Sequence, residues 1–492
     1  MMRRSTAGHH AAPSTQALYI KVKTLLFLDM EKDPLVVLRA VALLGSWSSH
    51  PPQAISLECP WQWNGTAIRL ALQLGLHREA TYTDSERHKR SRRVMWFLFV
   101  SAFLADNHLA SQSTDASPFQ NNETLQSICY ARPSMLRLQD LDIRHLEPSD
   151  FPDGEDDSIS ALIFCAMTRL CTELSHIEAL SAQRRPASLN AILARVSALG
   201  AWIAALPPAL RLFDDDNRRR PWSRLVAECH IFYFVAVILI CLLPGPHRQS
   251  LTFCTASIVA SSCIARLYEE ILCHEEVHCL LPIHGWTTLL AAVPQIYCGV
   301  KYPHLAPICA EELDISAAVL EQMRDKYESA AVVLTKVDAL RRTDAAAAVG
   351  WLNQPPLSSS SSSSPPPRVN GSSSNNQTGG DQSWRETEGL ADAVAGLFPF
   401  PSHLSPKMGL LLPLPFGSSA ASAVAVDITM VGAAELPSPV AMPFDPGEIT
   451  WPLDLSAFSL ANLDSLFPSE MAAESGEDAG LGGVDGALHT AI

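Results

Sequence analysis

Ile231-Phe232-Tyr233-Phe234-Val235-Ala236-Val237-Ile238-Leu239-Ile240-Cys241-Leu242-Leu243 is the longest apolar run in the sequence. It is followed at once by Pro244-Gly245-Pro246. Thirteen residues rising 1.5 Å each fall short of the roughly 30 Å of hydrocarbon in a bilayer. The run has no alternation of apolar and polar residues, so it does not read as a half-buried strand. It reads as a helix buried on all sides, and no membrane span is implied.

Working outward, the same helical character continues in both directions. Leu35 to Trp47 is almost wholly apolar or small and starts after Pro34, which suits a first helical position. Trp63, Ala67, Leu70 and Leu74 recur at the spacing of one helix face, and Gly75 supplies a stop. The basic cluster Arg87 to Arg93 leads into an apolar stretch from Val94 to Ala105. Further helices are predicted over Ala161–Leu180, Leu189–Leu206, Thr255–Leu272 and Gly285–Ile296. Pro207 and Pro208 end the second of these. Asp314–Leu340 mixes charge and apolar residues at helical spacing. Ser111 to Cys129 is polar and aperiodic and reads as a loop. Strands should be few, so the predicted fold class is all-α.

Composition divides the chain. Residues 1–16 read as a disordered tail, 17–345 as one large helical domain, 346–395 as a Ser/Pro-rich linker, and 396–492 as an acidic, mostly disordered region. Ser358 to Ser364 is an unbroken serine run followed by Pro365 to Pro367. Such a segment has too little apolar surface to offset its ordering entropy. The net charge of −15 is uneven: Lys407 is the last basic residue, and 11 acidic residues follow it. The first 407 residues are nearly balanced, with 36 basic and 40 acidic groups. That balance excludes the basic footprint of a nucleic-acid binder. The twelve cysteines sit in apolar surroundings and read as small hydrophobes rather than a disulfide scaffold.

Several motifs together resemble a known family. Trp61-Gln62-Trp63, Ala67, Leu70, Ala71 and Leu74-Gly75-Leu76-His77-Arg78 come first. Arg92-Arg93 then precede Met95-Trp96-Phe97. Ala131-Arg132-Pro133, Leu138 to Asp142 as a strand-like acidic stretch, and Glu147 to Phe151 follow. Ile231-Phe232-Tyr233, Leu242-Leu243-Pro244, and Leu281-Pro282 to Pro294 continue in order. The set resembles the fungal transcription factor regulatory domain, the middle homology region of zinc-cluster transcription factors, closest to the cutinase-gene activator branch. The resemblance covers roughly residues 17 to 340. Its departures are Met95 in place of one of two tryptophans, Ala102-Phe103 in place of an Asp-Arg pair, and an insertion at Ser111 to Ile128.

The resemblance implies an all-helical regulatory domain, a nuclear location and transcription regulation of RNA polymerase II genes. It also implies an N-terminal six-cysteine cluster that binds two zinc ions. Such a cluster needs Cys-x-x-Cys pairs whose thiolates reach one metal. Here the first cysteine is Cys59, and no two cysteines stand three apart. The expectation is that these residues build no zinc cluster and hold no cofactor. DNA binding would then come from an upstream module or a partner chain. Partnership as a homo- or heterodimer with other zinc-cluster factors also follows from the resemblance. A regulator that never binds DNA, acting on a full-length relative, is the alternative.

Four features call for a reading of their chemistry. His274-Glu275-Glu276-Val277-His278 fits the zinc-hydrolase pattern of two histidines one helical turn apart beside a glutamate. It has no third ligand at a familiar spacing, so the solvated end of a helix is the stronger reading and no enzyme is expected. Arg87, Lys89, Arg90, Arg92 and Arg93 read either as a nuclear import signal or as the charged opening of a buried helix. Arg218-Arg219-Arg220, after Asp214 to Asp216, read as a charged loop. The tail interleaves Phe444, Trp451, Leu455, Phe458, Leu463, Leu466 and Phe467 with Asp445, Glu448, Asp454 and Asp464. Acidic charge keeps such apolar anchors accessible, and binding would fold Leu455 to Phe467 as a short amphipathic helix in a coactivator groove. The expected partners are coactivators or general transcription proteins.

Overall fold

The computed structural model describes residues 15–45, 60–83, 85–104, 136–152, 159–181, 187–243, 251–342, 393–401 and 404. Among them the chain forms α1 (Thr15–Phe27), α2 (Pro34–Leu44), α3 (Pro60–Gln73), α4 (Glu86–Leu104), α5 (Ile159–Ser181) and α6 (Leu189–Ala204). It continues with α7 (Arg224–Leu242), α8 (Leu251–Cys273), α9 (Ile283–Lys301), α10 (Ala306–Arg324) and α11 (Glu328–Arg342). No strand occurs among the described residues; the only bridges there are Arg78 with Asp142 and Phe213 with Arg219. The fold is all-α. The Ser111–Cys129 loop, the Ala131-Arg132-Pro133 turn, the serine run and every tail anchor lie outside the described residues.

The apolar run that opens the sequence argument is the second half of a longer helix. α7 begins seven residues earlier, at Arg224, and every residue from Val226 to Cys241 is buried. By length and composition alone it is long and apolar enough to cross a membrane, but 89% of that stretch is buried inside the protein. α5, α6, α8 and α9 pack around it. One early charge is carried inward: Glu228 is buried and paired with Arg224 one turn before it. The paired charge lets the helix extend past the purely apolar segment.

Start signals are honoured at α2. The Asp33 carboxylate accepts the Leu35 N–H at 2.9 Å, and Pro34 occupies the first turn. That N–H bond, together with Arg87, holds the Asp33 carboxyl below its usual range. α3 ends at Gln73, and the predicted stop, Gly75, follows two residues later with a φ of 72° that suits a residue without Cβ. The single helix read over Asp314–Leu340 is instead two helices, broken between Arg324 and Glu328. Charge and apolar spacing persist through the break, so periodicity alone does not register it.

Buried indoles mark the joints. Trp63 Nε1–H donates to Tyr19 Oη at 3.0 Å, joining α3 to α1. Trp96 Nε1–H donates to the Arg144 carbonyl at 2.9 Å, and Trp202 Nε1–H to the Ala166 carbonyl at 3.0 Å. Each places a large apolar surface in the core with its one donor satisfied. The buried thiols behave as hydrophobes: burial pushes Cys165 up to about 11 and Cys229 up to about 12.

Candidate functional site

Residues distant in sequence converge on one buried carboxylate. Asp150 is fully buried and accepts hydrogen bonds from both Arg144 guanidinium nitrogens, at 2.7 and 2.8 Å. Arg92 adds a third at 3.2 Å, and the Glu147 N–H a fourth at 3.0 Å. Burial alone would raise the Asp150 carboxyl; the Arg144 bonds, the Glu147 N–H and the two arginine charges outweigh it and hold the group below its usual range. Arg92 also reaches Glu79 at 2.5 Å and lies 4.3 Å from the centre of the Tyr82 ring. Glu79 in turn accepts the Arg144 N–H at 2.9 Å.

The backbone closes the same knot. The Asp142 N–H donates to the His77 carbonyl at 2.8 Å, and the Glu79 N–H to the Asp142 carbonyl at 2.5 Å. Three motifs of the resemblance thus meet: the Leu74–Arg78 turn, the Arg92-Arg93 pair and the Glu147–Phe151 stretch. Leu138–Asp142, read as strand-like, opens with a 3₁₀ turn over Leu138–Asp140, and its strand character is limited to the Arg78–Asp142 bridge.

The basic run therefore splits. Arg92 is buried, and Arg93 donates to the Asp150 carbonyl while lying 5.4 Å from the Phe151 ring centre. Both side chains are held by Asp150. Arg87 pairs with Asp33 at 3.1 Å, Lys89 with Glu86 at 3.4 Å, and Arg90 is exposed. All five lie in the first two turns of α4.

The zinc-hydrolase pattern does not form on a helix. α8 ends at Cys273, Glu275 takes a left-handed φ of 54°, and Val277–Cys279 is a 3₁₀ turn. His274 and His278 therefore do not share the helix face that this chemistry needs. His274 stacks on Trp222 with centroids 4.5 Å apart, and His278 contacts the Glu275 carbonyl at 2.9 Å. No cluster of metal-ligating groups occurs among the described residues. We expect His274→Ala to cost about 0.5–1.5 kcal/mol through the lost stack. Zinc content by mass spectrometry should match the wild type; a drop would restore the metal reading.

Arg218-Arg219-Arg220 do lie in a charged loop. Asp214 Oδ1 accepts the Asp216 and Arg218 N–H groups at 3.0 and 2.8 Å, and Arg219 reaches back to Glu270 on α8.

One segment escapes the sequence reading altogether. Residues 393–401 and Leu404, divided between linker and tail in that reading, pack on the core. Val394, Leu397, Phe398, Phe400 and Leu404 are all buried. Tyr233 Oη–H donates to the Leu397 carbonyl at 2.7 Å. The Phe234 ring lies 6.3 Å from Phe398 and 5.4 Å from Phe400. Trp202 stacks behind Tyr233 at 5.3 Å and fixes it. The signal in the sequence is the compact Leu397-Phe398-Pro399-Phe400-Pro401 cluster, which has no periodicity because prolines interrupt it.

The comparisons with known proteins agree with the motifs. The acetamidase regulatory protein of Aspergillus oryzae is 26% identical over 339 residues, 65% of this chain and 39% of the relative. That of Emericella nidulans is 26% identical over 342 residues, 65% of this chain and 38% of the relative. Cutinase transcription factor 1 beta of Fusarium vanettenii is 28% identical over 138 residues, 28% of this chain and 13% of that protein. The chain spans about two fifths of the length of the acetamidase regulatory proteins that it matches. No family model and no solved structure matches. The chain is a homologue of fungal acetamidase regulatory proteins and cutinase transcription factors, as its resemblance to the fungal transcription factor regulatory domain implies.

Proposed function

We propose that this chain regulates transcription in the nucleus. Its helical body integrates a signal, and residues 405–492 recruit coactivators or general transcription proteins. The observation that supports the reading best is the likeness to the acetamidase regulatory proteins over 65% of the chain. The relatives are named as regulators and transcription factors, none as an enzyme. The buried ion pair of Arg92 and Asp150 holds distant segments of the helical body together.

DNA reading is assigned to a module or partner outside these residues, because no Cys-x-x-Cys pair occurs in the sequence. A dimer with another zinc-cluster factor supplies it in the same way. The exposed part of the basic run, Arg87 to Arg90, is the portion left to serve import.

The tail is tested by fusing residues 405–492 to a neutral DNA-binding module and reading a reporter gene. Activation is the expected result. Joint alanine replacement of Phe458, Leu463, Leu466 and Phe467 should abolish it, because acidic charge without apolar anchors has nothing to insert into a groove. Reporter silence with the native tail would overturn the activator reading.

A further inference from the structure

The docked segment is one of two copies of a short motif. Val394, Leu397 and Phe398 stand at i, i+3 and i+4, and Pro399 follows. Leu463, Leu466 and Phe467 repeat that spacing in the tail, and Pro468 follows. Leu-Phe-Pro occurs nowhere else in the sequence.

The docked copy defines what the body recognises. The Leu397 N–H donates to the Val394 carbonyl and the Phe398 N–H to the Ala395 carbonyl, both at 3.1 Å. This single turn puts the three apolar side chains on one face, and all three are buried. Phe398 meets Phe234 of α7, and the Gly396 carbonyl lies beside Gly200 of α6. Tyr233 Oη–H donates to the Leu397 carbonyl, a main-chain group that any residue supplies. The tail copy keeps what these contacts need. Leu463 stands for Val394, and Leu466-Phe467-Pro468 for Leu397-Phe398-Pro399. Ser465 stands for Gly396, which is exposed and has no positive φ, so a side chain there meets no backbone strain. Two anchors differ. Ser469 stands where Phe400 packs on Phe234, and Ala473 where Leu404 is buried. The tail copy is therefore the weaker of the two.

We propose that the α6–α7 groove is a receptor for this motif, and that Leu463–Pro468 of the same chain is its second occupant, docking when residues 393–401 release. Apolar anchors at i, i+3 and i+4 are the usual way a short helical turn is held in a groove. Reach is sufficient. A random chain of about sixty residues, the stretch between Leu404 and Leu463, spans roughly 40 Å. A body of about 330 residues has a radius of gyration of about 20 Å. Tethering at that length gives the tail copy an effective concentration on the order of millimolar at the groove. One groove holds one copy, so the two compete. Under the activator reading, docking of the tail copy withholds Leu463, Leu466 and Phe467 from coactivators. The exchange itself does not rest on that reading and stands even if the tail is silent in a reporter assay.

Amide exchange on the full chain tests the proposal from both sides. Phe398→Ala weakens the first copy, and residues 463–468 should then exchange at least about threefold more slowly than in wild type, as millimolar tethering against millimolar affinity gives. Adding Phe467→Ala to that variant should restore the wild-type rate there. The second measurement leaves the body untouched. Joint Leu466→Ala and Phe467→Ala in an otherwise wild-type chain removes the competitor, so exchange at 393–401 should slow by about twofold. Unchanged exchange at 463–468 in Phe398→Ala overturns the proposal. Unchanged exchange at 393–401 in the tail variant overturns it too, and that readout does not depend on how Phe398→Ala folds. Protection of 463–468 that rises with protein concentration overturns docking within one chain, since the motif would then come from a second copy.

Discussion

Asp150→Ala is expected to cost about 3–5 kcal/mol, the range for removing one partner of a buried ion pair. The loss comes mainly from Arg92, whose side chain is 5% exposed and would keep its charge with only the half-exposed Glu79 left to answer it. Arg144 is 39% exposed and water can take over for it, so its share is smaller. Urea denaturation followed by helical circular dichroism reads the difference. Amide exchange should place it in residues 136–151 and the first turns of α4, because that is where Asp150 ties the chain together. The pH dependence has a definite sign. The folded-state carboxyl titrates below its usual value, so its contribution is fully present above about pH 4, the unfolded value. It is lost as the pH falls through the lower folded value. The gap between wild type and Asp150→Asn should therefore be wide at pH 7 and narrow below pH 4. A variant within about 1 kcal/mol of wild type at pH 7 would show that the knot is ornament rather than structure.

How much of this was legible in advance depends on the kind of signal. The helices announced themselves wherever an apolar face met a start or stop signal: Pro34 opening α2, Gly75 after α3, Pro207 after α6. The buried run of α7 gave the fold class, though not the helix start, because Arg224 and Glu228 mask their burial by pairing with each other. The motif order carried the family, yet nothing in a list of motifs says that Arg92 turns inward to Asp150 while Arg90 stays outside. That distinction rests on contacts across 58 positions of sequence. The zinc-hydrolase pattern failed for a local reason: Glu275 adopts a left-handed conformation, so the helix on which the pattern depends has already ended. The docked segment was illegible because its burial owes nothing to periodicity. Its aromatic residues are placed by partners on α7 more than 160 positions earlier.

That segment gives the second large effect. Phe398 is 1% exposed and rests on Phe234, so Phe398→Ala leaves a cavity in the core. Large aromatic truncations of this kind cost about 3–5 kcal/mol. The cost falls first on docking, because the segment is joined to the body through residues 343–392, its internal bonds are short-range turns, and it meets the body at α6 and α7. About 3 kcal/mol is roughly a hundredfold in the equilibrium between docked and released forms. Amide exchange at residues 393–401 should accelerate by that order. The core of α7 and α8 should exchange as slowly as in wild type, since Tyr233 keeps its stack on Trp202 and Phe234 its contact with Tyr233. Tyr233→Phe should act in the same direction but less, losing only the bond to the Leu397 carbonyl, a change of about 1 kcal/mol. If Phe398→Ala speeds exchange across α7 and α8 equally, the segment is part of one cooperative core, and release of residues 393–404 cannot be a separate step. If acceleration is confined to 393–401, the segment is a separable latch. The residues that follow Leu404 then have two attachments to the body, one covalent and one that a single phenylalanine controls.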